Sequence, residues 1–415
     1  MVAKESGRAE LAGRVRGVAI LLSLPVIAFS FGLKLASLAS ETGVGTWAAQ
    51  TVVALLDEGV AQAEPAPAPE ALAQLGQALQ PSVEPGVEPS SEVEPGPRAD
   101  TIETAIEPAV GGVSPLPEVD RARLLSSPID RPPAYLDGVT PDHHGKHFIA
   151  SDEWNHHLYA PHIRNLGGGY IGVGATQGYV LIGWARPELA WFIDYDDTVV
   201  DLHQVWRVLF ELAPTRAELA RLWSWEAREQ TSAAIREHLG PAEARSVVAT
   251  YRRHRARISK RMTELRAKHL ELRVASYLTD DETFDYVRGM VVGGRVRAMR
   301  VDLTATRGLA GIAEVARELE VPIRLLYTSN AQTYWRYAEG NFVANVRGLP
   351  FDEGSLVAHT IGTHSTNGDY RYVLHRGLDF QAKLGEGPRS VYRITPWRRP
   401  GQGAGIGVER VGFEG

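Results

Sequence analysis

Two hydrophobic periods alternate along the second half of the chain. "YIGVG", Tyr170 to Gly174, is a short apolar β-branched run ending in glycine, and Thr176 to Arg186 keeps helix-compatible spacing until Pro187. Together they predict strand, turn and helix. "LAWFIDYD", Leu189 to Asp196, stays apolar until its carboxylates appear, as in a parallel strand covered on both faces. In "TVVDLHQVWRVLFELA", Val199, Leu202, Val205, Val208, Leu209 and Leu212 make one stripe, which predicts a helix packed on the sheet. The alternation resumes with "RVRAMRVDLT" from Arg295 to Thr304, an amphipathic "GLAGIAEVARELE", and "VPIRLLYTSN" from Val321 to Asn330. Strand-like runs around Asn367-Gly368 predict a C-terminal antiparallel hairpin that finishes the sheet edge. Between these halves, Thr215 to about Leu272 reads as a helical insertion broken at Gly240-Pro241, a lid or second lobe. Its crowd of basic residues, Arg252 to Arg261, reads as a solvated face, with an anionic partner as the competing reading.

The first third of the chain has a different character. Lys4, Arg8, Arg14 and Arg16 precede an uncharged apolar run from Gly17 to Leu33. Basic residues before the run and mostly acids after it predict a cytoplasmic N-terminus (1–16) and a membrane anchor (17–40). The competing reading is a signal peptide cleaved near "LASLAS", Leu35 to Ser40. A Pro- and Glu-rich stretch without aromatics follows, and 41–134 is expected to be a disordered linker. That leaves one folded domain over 135–415, about 280 residues, a size one α/β unit with an insertion can reach. The chain has 415 residues, a formal net charge of -6 and no cysteine. The charge excludes the strongly basic profile of a nucleic-acid binder, and the missing cysteine excludes disulfides, thiolate metal sites and a cysteine nucleophile.

In an open parallel sheet the ligand sits outside the carboxyl ends of the strands. The predicted strands all end in glycine or polar residues: Gly172 and Gly174, then Asp194 and Asp196, then Asp302, then Tyr327, Ser329 and Asn330. A dinucleotide fingerprint requires a third glycine where Gln177 stands. Asp194, 20 residues after Gly174, is where a carboxylate accepts ribose hydroxyls. S-adenosylmethionine carries that ribose and no pyrophosphate, so it tolerates the weaker turn.

The stretch "GGGYIGVGATQGYVLIGWARPELAWFIDYD" with "LHQVWRVLFELAPTRAEL", and later "LLYTSNAQTYW" with "FVANVRGLPFDEGSLV", resembles a family of bacterial proteins of unknown function, some exported or lipoproteins. Their core is similar to class I methyltransferases, and the resemblance covers about Ile149 to Ile361. It implies a Rossmann-like, class I methyltransferase-like, mostly parallel sheet. On that layout Gly172 and Gly174 would flank the methionine end of the cofactor, Asp194 would hold the ribose, and Asp302 would reach the adenine amino group. Tyr327, Ser329 and Asn330 stand where amino-methylating enzymes carry a proline-rich motif, which this chain lacks. His203 is read as a core histidine or a general base.

Six histidines crowd "DHHGKHFIASDEWNHHLYAPHI" together with Asp142, Asp152 and Glu153. Their spacing fits no defined ligand set, so the segment is expected to be a polar entrance covering the sheet rather than a metal site built from His143, His144, His147, His156 and His157. Two functions follow. One is a membrane-tethered S-adenosylmethionine-dependent methyltransferase acting on a small-molecule or envelope-associated acceptor. The other is an exported, non-catalytic Rossmann-like binding or scaffolding domain, favoured by an anchor that puts the C-terminal domain on the non-cytoplasmic side, where the cofactor is scarce.

Overall fold

The computed structural model describes residues 109–136, 144–362, 369–395 and 407–413. The expected anchor at 17–40 and most of the expected linker lie outside the described residues. Among the described residues no helix is long and apolar enough to cross a membrane.

Among the described residues seven strands form one sheet: β1 Gly169–Val173, β2 Leu189–Asp194, β3 Val296–Arg300, β4 Ile323–Tyr327, β5 Leu356–Gly362, β6 Tyr370–Arg376 and β7 Val408–Val411. Their spatial order is β3-β2-β1-β4-β5-β6-β7. β1 to β5 are mutually parallel, β6 runs antiparallel to β5, and β7 is parallel to β6. The β5-β6 hairpin is therefore present, but it does not finish the sheet. The four-residue β7 does, and its shortness hid it from the hydrophobic pattern.

The helices in chain order are α1 Glu118–Leu125, α2 Ala160–Ile163, α3 Gln177–Ala185, α4 Asp197–Leu212, α5 Arg216–Leu222, α6 Arg228–His238, α7 Pro241–Glu271, α8 Asp281–Val292, α9 Gly308–Glu318, α10 Phe342–Arg347, α11 Gly377–Gly385 and α12 Val391–Ile394. Strand side chains alternate between two cores, as the two-residue period requires. Tyr170, Phe192, Leu325, Tyr327 and Ala358 face a core built with α3, α4, α7 and α8. Ile171, Trp191, Ile193, Leu326 and Val357 face another built with α9 and α10. Helices on both faces explain why "LAWFID" is buried at every position.

Folding also begins earlier than the Pro- and Glu-rich composition suggests. Residues 109–134, expected in the linker, include α1, whose Leu124 is fully buried in the second core. The Arg297 guanidinium of β3 donates to the Leu124 carbonyl at 2.8 Å and to the Ser127 carbonyl at 2.5 Å. Asp130 caps α9 through the Gly308 amide and also accepts from the Asp302 amide. A few apolar anchors and backbone hydrogen bonds suffice to order a segment of unremarkable composition.

Candidate functional site

Connections leave β1 toward β2 and β3 on one side and reach β4 and β5 on the other, so the sheet changes direction between β1 and β4. At such a switch point loops diverge and leave a crevice at the carboxyl ends of the strands. The turn after β1 passes through Gly174 at φ +90°, a conformation that L side chains rarely adopt. A Cβ there would lie 2.2 Å from the Gln177 amide nitrogen, which instead donates to the Val173 carbonyl at 2.9 Å. A Cβ on Gly172 would lie 1.9 Å from the Tyr170 hydroxyl. Gly174 is thus required chiefly by its backbone conformation and Gly172 by the Tyr170 ring, before any ligand is considered.

His203, on α4, supports this turn from below. Its Nε2 lies 3.0 Å from the Gly174 carbonyl, its Nδ1 lies 3.0 Å from the Tyr179 hydroxyl, and its ring stacks on Phe192. Burial pushes its pKa down to about 4, so it is a neutral imidazole whose two ring nitrogens are both occupied.

Asp194 ends β2 and is buried. Its Oδ1 accepts the Asp196 amide at 3.0 Å. Burial drives its carboxyl upward and the nearby Asp196 charge adds to the rise. Hydrogen bonds from the backbone of Asp196, Tyr195 and Gly174 oppose them, and the net pKa is about 7. Asp196 has other duties: it caps α4 by accepting the Thr198 amide at 2.9 Å, and its second oxygen lies 2.8 Å from His147 Nδ1. Asp302, past β3, holds Thr304 through both its amide and its hydroxyl.

The β4 end is organised by a residue that the sequence pattern did not single out as central. Glu153 is fully buried, and its Oε1 accepts from the Ser329 hydroxyl at 2.7 Å and from Thr360 on β5. Its Oε2 accepts from Tyr327 and lies 2.8 Å from His156 Nε2, which is itself 2.9 Å from the Tyr327 hydroxyl. Burial alone would raise the Glu153 carboxyl, but the bonds and charge of these partners outweigh it and hold the pKa at about 2. Tyr327 and Ser329 are therefore both engaged with an ionised carboxylate, and Ser329 takes a left-handed φ of +51° to reach it. The carbonyl of Asn330 accepts from the amide and hydroxyl of Thr333 and shapes the following turn.

The histidine-rich segment consequently lies across the crevice as a strap. It is tied at the β2 end by His147 to Asp196, and at the β4 and β5 ends by Glu153. Helix α7 clasps it from outside: the Arg261 guanidinium sits 3.5 Å from the Trp154 ring centroid and also donates to the Glu153 carbonyl. Its histidines point to different partners: His144 to Tyr135, His147 to Asp196, His156 to Glu153. Burial, then the Lys268 charge, lowers the His157 pKa to about 4, and His143 lies outside the described residues. Among the described residues no three His, Cys, Asp or Glu side chains are grouped to hold a metal ion.

Fold and site thus define a mostly parallel α/β domain whose strand ends are bridged by a polar strap. Residues 148–411 match a family described as Domain of unknown function (DUF7790), and the chain belongs to that family. No curated protein matches the chain.

Proposed function

We propose that this domain binds S-adenosylmethionine in a methyltransferase-like, Rossmann-like crevice at the β1-β4 switch point, tethered to the membrane by the N-terminal apolar run. The observation that carries this reading is Asp194. An ionised carboxylate buried there opposes folding at neutral pH, and groups held at such a cost cluster at functional sites. Ribose hydroxyls donated to it would offset that cost, because hydrogen bonds to the charged form favour ionisation. Asp302, already fixed by Thr304, would meet the adenine amino group. When bound, the cofactor supplies an electrophilic methyl group. The chain's own residues orient it through Asp194, and they exclude water through the strap.

A second reading, a binding or scaffolding domain without catalysis, is favoured by the Glu153 network. The hydroxyls of Tyr327 and Ser329 are spent on Glu153, and burial followed by the Glu153 charge raises the Tyr327 pKa well above its ordinary value. Neither group is poised to take a proton from an acceptor.

Calorimetric titration of the full chain with S-adenosylmethionine tests the proposal. Saturable binding that Asp194→Ala weakens by roughly tenfold or more supports it, the loss expected for a hydrogen bond to a charged group. No binding heat with the wild type, by a method that detects micromolar affinity, removes it.

A further inference from the structure

A cavity of about 440 Å³ opens beside β3, away from the crevice. Its inner wall is aromatic, formed by Phe192 and Tyr179 with the neutral ring of His203, and its side is aliphatic, formed by Val291, Val296 and Ala298. Leu125 stands at the cavity with half of its surface exposed, 52%. The charged part is mostly cationic, with Arg121, Arg207 and Arg297 against a single carboxylate, Glu211. Arg207 is paired with Glu211 at 3.2 Å, and Arg297 is spent on the carbonyls of Leu124 and Ser127. Among the described residues lining the cavity, Arg121, exposed on α1, is thus the cation left to meet a ligand. In a chain with a formal net charge of -6 this is a local reversal of sign, placed at the rim of an apolar recess.

A recess of this size with an apolar wall and a few polar groups is the ordinary form of a small-molecule site. We infer that this cavity binds a small amphipathic acid, with an apolar body against Phe192, Val296 and Ala298 and one anionic head group at Arg121. The site is separate from the proposed cofactor crevice and does not depend on it. It shares one wall with it, since His203 lines the cavity and also carries the Gly174 carbonyl.

The probe is 1-anilinonaphthalene-8-sulfonate, an apolar ring system with one sulfonate, titrated into the full chain and followed by fluorescence. The expected result is saturable one-to-one binding to the folded protein, with a melting temperature that rises with ligand concentration. Ala298→Phe, which fills the recess, and Arg121→Glu, which reverses the rim charge, should each weaken it by roughly tenfold. Arg121→Lys should keep most of the affinity. Arg121→Glu lies on an exposed helix face, so it remains informative if Ala298→Phe does not fold. No saturable binding to the wild type, or equal affinity in the wild type and Arg121→Glu, overturns the assignment.

Discussion

Replacing Asp194 by asparagine should stabilise the protein, and only above mildly acidic pH. The amide oxygen of the new side chain can still accept the Asp196 amide, so the change removes the charge, and its NH2 group weakens only the lesser backbone contacts from Tyr195 and Gly174. The wild-type carboxyl has a folded-state pKa of about 7 against an ordinary value of 3.8. Below pH 3.8 it is protonated in both states and has no effect on stability. As pH rises, the unfolded chain ionises first, and stability is lost steadily until the folded carboxyl ionises too, near pH 7. At about 1.4 kcal/mol per pKa unit the full loss is about 4 kcal/mol. Urea unfolding of both proteins at about pH 5 and about pH 8 measures this, since every other titrating group cancels in the comparison. Asp194→Asn should gain up to about 4 kcal/mol at about pH 8, and the gain should be smaller by roughly 3 kcal/mol at about pH 5. An equal difference at both values, or destabilisation at the higher one, would refute the claim that Asp194 is ionised there at a cost.

Other outcomes follow from the same geometry. Glu153→Ala leaves three buried partners, His156, Tyr327 and Thr360, and the half-buried Ser329 without their acceptor, and should cost at least ~3 kcal/mol in chemical denaturation. The wild-type Glu153 contribution is fully present above pH 4.5 and is lost as pH falls toward 2. His359 and His375 lie with their Nε2 atoms 3.0 Å apart, fully buried, and burial lowers both pKa values, to about 3 and about 2. Their contribution is complete above the unfolded value near 6.5 and declines as the unfolded chain takes up protons below it. His375→Phe should therefore flatten the acid-side loss of stability by about 1.4 kcal/mol per pH unit between about pH 6 and about pH 4, read by urea unfolding across that range. Gly174→Ala should cost about 1–3 kcal/mol from its φ of +90° and its contact with Gln177. Gln177→Ala should recover only part of that loss, because it relieves the contact and leaves the φ strained.

The parallel part of the sheet was legible because its signals are local. Continuous apolar runs such as Leu189 to Ile193 and the helical stripe from Val199 to Leu212 each carry their period within a few residues. The short β7 and the helix Asp281–Val292, capped by Asp280, went unread: one is too short for a period, and the other adjoins a longer helical stretch. The two carboxylates at the crevice contrast in the same way. Asp194 could be found because a strand end and its distance from a glycine turn are both visible along the chain. Glu153 reads only as one acid among histidines, since its partners Tyr327, Ser329 and Thr360 lie 174 to 207 residues away. The metal alternative could not be decided for a similar reason: neighbouring histidines reach unrelated elements, which spacing does not encode.

Whether Asp194 receives a ribose at the β1-β4 crevice is decided by proton linkage. Titrations with S-adenosylmethionine at about pH 6.5 in a pair of buffers of different ionisation enthalpy count the protons exchanged on binding. Hydroxyl donors favour the ionised carboxylate, so the wild type, whose Asp194 carboxyl has a pKa of about 7, should release between about one half and about three quarters of a proton. Asp194→Asn should release essentially none from this position. Binding of equal strength and equal proton count in both proteins would contradict the account.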